Sequence, residues 1–309
     1  FPASQRRNNP LSEPAGDDAM GMHVDIHSSG GYVYFPWGHE DKRSPDDDAL
    51  QVLGRKVAYY NGYDLWAPGS PDFLYPASGD TSDYMYGALS TASYGLELGR
   101  GLDFYGDCGL FEAQILPDNM PGLLYGAMIS KRPFFQVKGP DIIDLSSPSS
   151  SLFSGDTLIV SAVASDSERA DGQATGDQEV TSMVMYLDVH PDDFTAGDVS
   201  WDMIPVGVNS GSYTFNAEIV LPKGLSAGRH TLFAQAEDSD GYQGPARAVF
   251  FDVERSETAS PSKRPTLRPT VKPTPQPTPQ PSFRPTNKVI NMHPNCLFIL
   301  SRILFSHLS

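Results

Sequence analysis

The chain has 309 residues and a formal net charge of −16, with 38 acidic against 22 basic residues. This balance argues against nucleic acid as a partner, because phosphate binding needs a basic face. The length allows roughly two domains, and a hydrophobic content of 39% allows packed cores. The two cysteines, Cys108 and Cys296, are too few for a disulfide framework.

Residues 1–138 mix strand-like and helix-like patterns, which predicts an α/β layer. The helix pattern starts at cap residues around a proline, Ser44-Pro45-Asp46, and the last helix should turn Leu124, Ala127 and Met128 inward. The predicted elements are strands at 24–27 and 32–35, a helix from Ser44 to Gly62, a strand at 93–98 and a helix at about 121–131.

From Gly139 onward the helical periodicity gives way to short alternating apolar runs separated by turns. The runs are Leu158-Val160-Ala162, Met183-Met185-Leu187, Tyr213-Phe215-Ala217 and Leu232-Ala234-Ala236. This spacing predicts an all-β immunoglobulin-like or fibronectin-like sandwich over residues 139–254. The Asp-rich turn at 238–241 offers too few ligands for calcium and is interpreted as a plain turn.

Residues 255–309 are dominated at first by Pro, Thr and Ser, a composition that predicts a disordered, extended tail. Such tails are typical of extracellular proteins, so we expect a secreted or wall-associated protein with cell-wall or glycan association through this tail. The apolar run at 296–305 is interrupted by Ser301 and Arg302 and is shorter than the ~20 residues of a transmembrane helix. The sequence therefore predicts no membrane span.

His27 is the best candidate for a metal ligand. In a strand, Asp25 and His27 face the same way, so the acidic neighbour could orient the imidazole. A lone histidine in a β-rich segment is more often structural. His23 shares the same face, but three ligands from one straight strand cannot converge on an ion, which disfavours a His23/Asp25/His27 site.

Three motifs follow one another in the order of a known family. They are Asp25-Ile26-His27-Ser28 with Phe35-Pro36-Trp37-Gly38, then Leu74 to Tyr84, then Tyr94-Gly95-Leu96-Glu97-Leu98-Gly99. Over about residues 15–137 the chain resembles the C-terminal part of the catalytic domain of zinc carboxypeptidases of the A, B and T type. Residues 139–254 resemble a module that follows the catalytic domain in many secreted bacterial-type members. The resemblance implies a mixed-sheet domain that holds one Zn²⁺ ion and hydrolyses the C-terminal peptide bond of peptides or proteins.

Two roles at the first motif come from this resemblance. His27 matches the third zinc ligand of the family, and Ser28 matches a serine that contacts substrate. Where many relatives have tyrosine two places after the ligand, this chain has Ser29, which removes an aromatic substrate contact at that position.

Three further roles come from the later motifs. Tyr75 matches the mobile tyrosine that closes over the bound C-terminus. The resemblance gives it both a catalytic and a substrate-binding role. Ser82 matches the position that sets side-chain preference, and serine there leaves the preference open. Glu97 matches the general base for the zinc-activated water. Because Leu96 and Leu98 lie on the opposite strand face, Glu97 should project alone from an apolar strand.

The family's first two zinc ligands form a His-x-x-Glu pair, and no histidine of this sequence has Glu three positions later. The family's oxyanion-stabilising arginine and its carboxylate-binding Asn-Arg pair are not matched either. We therefore expect a truncated catalytic domain that is inactive as this polypeptide. The alternative is a non-catalytic extracellular binding protein that retains the carboxypeptidase fold, and the sequence upstream of Phe1 would discriminate between the two.

Overall fold

The computed structural model describes residues 11–71, 73, 75–101, 107–146, 152–166 and 178–255. The described residues belong to one compact unit. Within it, buried apolar side chains form two clusters, one between Ala19 and Val137 and the other between Ile142 and Val253. Apart from Arg255, the predicted tail lies outside the described residues.

The first cluster lies in a segment with a four-stranded mixed sheet. Its strands are β1 (Met22–Ser28), β2 (Tyr32–Tyr34), β3 (Asp64–Trp66) and β4 (Ala92–Leu98). Its helices are α1 (Asp47–Asn61), α2 (Thr81–Leu89), α3 (Cys108–Leu110), α4 (Leu116–Met128) and α5 (Pro133–Gln136), with a π-helical turn, Phe111–Ile115, between α3 and α4. The strand order is β1-β4-β2-β3, with β4 parallel to β1 and antiparallel to β2.

Helix α1 follows the predicted pattern. It begins after Asp46 and ends at Gly62, whose φ of 66° is the left-handed conformation that glycine adopts without steric cost. Leu50, Leu53 and Val57 are buried, as the helical spacing predicts, whereas Tyr60 at the same spacing is 36% exposed near the end of the helix. This helix closes one side of the mixed sheet.

The predicted inner face of the last helix is wrong. In α4, Leu124 is 56% exposed and Met128 is 42% exposed, whereas Gly122 and Gly126 are buried. A Cβ at Gly122 would lie 3.1 Å from Val57 Cγ1, so α4 approaches α1 closely at this glycine. An apolar pattern points to large side chains and therefore misses a face on which close backbone approach requires glycine.

The second cluster lies between two sheets. Their strands are β5 (Asp141–Leu145), β6 (Leu152–Phe153), β7 (Thr157–Ser165), β8 (Val180–Leu187), β9 (Ser200–Asp202), β10 (Ile204–Asn209), β11 (Ser212–Val220), β12 (Gly228–Asp238) and β13 (Arg247–Glu254). The sheet orders are β10-β11-β7-β5 and β6-β13-β12-β8-β9. The alternating residues predicted to face inward do so; Val160, Met185 and Leu232 are fully buried.

Short polar and aromatic contacts join the two segments. Asp192, on the turn after β8, lies 2.8 Å from Arg132 and accepts a hydrogen bond from the Gln136 amide at 3.0 Å. The Phe135 and Tyr242 rings are 5.3 Å apart. Residues 132–136, which include α5, therefore bind directly to two loops of the two-sheet segment. Among the described residues, no helix combines the length and apolar composition that a bilayer crossing requires.

His230 forms polar contacts with residues of two loops in the two-sheet segment. Its Nδ1 lies 2.6 Å from Asp188 Oδ2 and its Nε2 lies 2.8 Å from the Ser226 carbonyl oxygen. Two acceptors around one ring favour the doubly protonated imidazolium, which donates from both nitrogens. Burial acts to lower the pKa of His230, but the hydrogen bonds to Asp188 and Ser226 outweigh burial and raise it above its ordinary value.

The raised pKa of His230 makes its stabilising contribution pH-dependent. The contribution is complete below the unfolded-state pKa of about 6.5 and is lost as pH rises through the folded-state pKa. We expect the stability gap between wild type and His230→Gln to be larger in mildly acidic than in alkaline buffer. Urea unfolding across pH measures this gap, and a gap that widens with pH would contradict the assignment.

Candidate active site

The register of β1 and β4 places polar side chains on one sheet face. His27 pairs with Glu97 in neighbouring parallel strands, so their side chains project from the same face. Asp25 pairs with Gly95, and a Cβ at Gly95 would lie only 1.9 Å from Tyr34 Cζ. The glycine therefore makes the room in which the Tyr34 phenol lies on this face.

The opposite face of the same strands is apolar. Leu96 is 1% exposed and Val33 of β2 is fully buried, and both belong to the first hydrophobic cluster. This alternation turns Glu97 away from the core and toward the open face, as the strand pattern predicts.

Above the polar face lies a cleft of about 370 Å³. It is lined by Asp25, His27, Tyr34, Phe35, Gly38, Trp66, Phe73, Tyr75, Ala77, Ser78, Gly79, Asp80, Thr81 and Glu97. Three predicted site residues, His27, Tyr75 and Glu97, thus lie in one cleft. Ser28 and Ser82 are not among its described lining residues, and Ser82 is only 1% exposed beneath the first turn of α2.

Asp25 holds His27. Its Oδ1 lies 3.0 Å from His27 Nε2, and its other oxygen accepts a hydrogen bond from the Thr81 hydroxyl. Burial acts to raise the pKa of Asp25, but these hydrogen bonds outweigh burial and lower it. An ionised carboxylate therefore orients the imidazole at the end of β1.

The pKa of Glu97 is raised above its ordinary value. Burial is the largest influence and raises its pKa; the nearby His27 lowers it and Asp25 raises it further. A carboxylate that binds a proton more tightly than usual is a stronger base.

Tyr75 stands at the cleft entrance with 61% of its surface exposed. Its ring packs edge-on against Trp66 at 5.3 Å, and Phe73 lies on the same indole at 6.0 Å. In the loop after Tyr75, the Ala77 N–H donates a hydrogen bond to the Gly38 carbonyl at 2.8 Å. The cleft is therefore bordered on this side by an exposed tyrosine and an aromatic wall.

Sequence reasoning gave no role to several cleft residues, among them Tyr34, Trp66, Asp80 and Thr81. Tyr34 alternates with Tyr32 in β2, a signal that could have placed both on the Glu97 face. Trp66 ends a three-residue strand that is too short to show alternation. Asp80 and Thr81 begin α2, and only the turn geometry brings them under the cleft.

The residues of the cleft do not complete a zinc site. A hydrolytic zinc site takes three protein ligands, and His27 is the one predicted here. The described part of the chain contains no group of three His, Cys, Asp or Glu side chains that could hold a metal ion. The described residues of the cleft therefore provide one candidate zinc ligand, His27, and do not provide the other two.

Residues 7–118 match the model of a family described as zinc carboxypeptidase, a segment that includes all five predicted site residues. None of the curated proteins compared with the chain matches it. Fibronectin(III)-like modules of Clostridium thermocellum CbhA show 18% identity over 36% of this chain and 94% of theirs, with a TM-score of 0.23.

The PKD domain of an M14-like peptidase from a Thermoplasmatales archaeon shows 14% identity over 38% of this chain and 97% of that domain, with a TM-score of 0.25. TM-scores this low carry no argument about fold or function. The family match supports a zinc carboxypeptidase-type segment over residues 7–118.

Proposed function

We propose that the chain carries one part of a metallocarboxypeptidase site of the A, B and T type, whose substrates are peptide or protein C-termini. The observation that carries the proposal is the cleft itself. His27 and Glu97 are register partners on one polar sheet face, and Tyr75 stands over them at the entrance. All three lie within the segment that matches the family.

Each residue has one task in this proposal. Glu97 accepts a proton from the water that attacks the C-terminal peptide bond. Tyr75 donates a hydrogen bond to the substrate's peptide or terminal carboxylate as its loop closes. Ser28 contacts substrate beside His27, which supplies one Zn²⁺ ligand. The described residues do not supply the remaining ligands of a three-ligand site.

We propose further that residues 139–254 are an immunoglobulin-like or fibronectin-like sandwich separate from the catalytic part, 1–138. Two sheets around one buried cluster support this class. Residues 255–309 are proposed as a Pro/Thr/Ser-rich tail of a secreted or wall-associated protein, on the basis of composition.

The test compares the chain with a chimera in which the upstream part of a zinc carboxypeptidase catalytic domain, including its His-x-x-Glu pair, precedes residue 1. We expect the chain alone to bind no stoichiometric zinc and to leave C-terminal peptide reporters intact. The chimera is expected to release single C-terminal residues in a chelator-sensitive reaction.

Two results would contradict the proposal. One is a folded, zinc-loaded chimera that hydrolyses no C-terminal reporter. The other is chelator-sensitive carboxypeptidase activity from the 309-residue chain alone, since that activity would require ligands other than those proposed.

A further inference from the structure

The sheets formed by the described residues have six edge strands, and β1 is the longest of them. Edge strands present unpaired backbone N–H and C=O groups, and proteins protect such edges with short strands, proline or bulges. β3, β6 and β9 have only two or three residues, and the ladders of β5 and β10 contain a register shift. Pro205 further protects β10. β1 has seven residues, no proline and an unbroken register with β4, so it lacks these protections.

The outer side of β1 is accessible to another strand. In the part of the chain that the structure describes, β4 is the only strand that pairs with it. None of the seven residues of β1 is buried, whereas five of the seven residues of β4 are. The unpaired backbone groups along this side are therefore a template for one more neighbouring strand.

The apolar side chains of β1 match those of a second, antiparallel copy. Met22, Val24 and Ile26 lie on one face of the strand because side chains alternate. With a twofold axis at Val24, the two Val24 side chains face each other and Met22 faces the partner's Ile26. An axis at Ile26 would instead set Val24 against the partner's Ser28, which covers less apolar surface. The apolar pattern therefore favours the axis at Val24.

The polar face of β1 is complementary in the same register. His23 faces the partner's Asp25 on both sides of the axis, which sets a ring N–H donor against a carboxylate. His23 Nδ1 contacts the Ser93 hydroxyl at 2.9 Å, so Nε2 is the nitrogen that can meet the partner. One oxygen of Asp25 contacts His27 and the other accepts from Thr81, and a carboxylate has about four acceptor sites. An axis at Asp25 would oppose two carboxylates, which destabilises a strand pair.

We propose that the outer edge of β1 binds a second copy of this chain, antiparallel about a twofold axis at Val24. The two four-stranded mixed sheets then join into one continuous sheet. The partner's His23 is added to the polar face that carries Asp25, His27 and Glu97, so each copy contributes a residue beside the cleft of the other. One strand per copy is a small interface, and the dimer is therefore reversible and weak. This inference goes beyond the proposed function, because it concerns the edge of β1 and not the chemistry of Glu97.

Sedimentation velocity of the full 309-residue chain, from low to high micromolar concentration, tests the association. The buffer contains about 0.15 M salt, which screens the repulsion between two chains of net charge −16. We expect wild type to show a concentration-dependent dimer. His23→Asp opposes two carboxylates on both sides of the axis and should weaken the dimer at least ~10-fold. His23→Gln keeps an N–H donor and should stay within a few-fold of wild type, with circular dichroism confirming that both variants fold.

Cysteine cross-linking of the same chain tests the register. Across an axis at Val24, the two Cβ atoms of Val24→Cys lie directly opposite each other, about 4.5–5.5 Å apart, and a small adjustment brings them within disulfide range. The matched variant Ile26→Cys places its two cysteines four positions out of register, ~13 Å apart. We expect mild oxidation to give a covalent dimer of Val24→Cys alone, with Ile26→Cys and wild type remaining uncross-linked on a non-reducing gel.

Three results would overturn the inference. They are a wild-type chain that stays monomeric throughout, a folded His23→Asp variant that dimerises as tightly as His23→Gln, and Val24→Cys that cross-links no better than Ile26→Cys. Because both experiments use the chain without an upstream segment, such a failure leaves the proposed function standing. An inactive chimera, in turn, would overturn the proposed function and leave the dimer standing.

Discussion

Replacing Glu97 with glutamine in the chimera is expected to lower turnover at least ~100-fold, the usual scale for loss of a general base. Glutamine keeps the size and the neutral hydrogen-bonding ability of the side chain but cannot accept the proton of the attacking water. Because the pairing with His27 depends on backbone register, zinc content and substrate affinity should stay close to those of the parent.

Steady-state kinetics on a C-terminal peptide reporter, with zinc measured on the same samples, checks this result. Glu218→Gln is the matched control, since Glu218 is exposed on β11 and faces solvent rather than the cleft. Turnover of Glu97→Gln within a few-fold of the parent would remove Glu97 from the role of base.

Replacing Lys56 with methionine is expected to destabilise the chain by about 3–5 kcal/mol, as when one partner of a buried ion pair is removed. Lys56 Nζ lies 2.8 Å from Asp141 Oδ2 and donates to the Gly139 carbonyl at 3.0 Å. The Lys56 side chain is 2% exposed, and that of Asp141 is 10% exposed. Methionine would leave the Asp141 carboxylate buried without its cation.

Urea unfolding followed by both fluorescence and circular dichroism measures this loss. Lys42→Met is the control: Lys42 is 72% exposed and 3.9 Å from Glu40, and such surface pairs contribute about 0–1 kcal/mol. The double variant Lys56→Met/Asp141→Leu should recover part of the loss because it removes the orphaned charge. A loss no greater than that of the control would show that the pair does not join α1 to β5.

Local patterns in the sequence predict much of this fold. The alternation in β4 places Leu96 in the core and Glu97 on the open face, and the cap residues and apolar spacing predict α1. These predictions work because strand and helix periodicities are properties of a few consecutive residues. The motif containing Glu97 could for the same reason be recognised before any contact was known.

Features that depend on distant contacts could not be predicted this way. Nothing in the sequence around Gly95 indicates that the Tyr34 ring occupies the space of a side chain at that position. Likewise, nothing around Lys56 indicates that it pairs with Asp141 of the second segment. The packing face of α4 was mispredicted because Gly126 and Gly122 carry no hydrophobic signal. Asp80 lies inside a recognised motif but received no role, because only the folded chain brings it into one cleft with Gly38 and Trp66.

The proposed role of His27 as a metal ligand in a carboxypeptidase-type cleft is tested most directly by the zinc content of the chimera. His27→Ala should lose most of the bound zinc. His23→Ala should retain it, because His23 is not a described lining residue and its Nδ1 pairs with the Ser93 hydroxyl at 2.9 Å. Elemental analysis of dialysed protein gives the comparison, and equal zinc in the His27→Ala variant and the parent would contradict the claim.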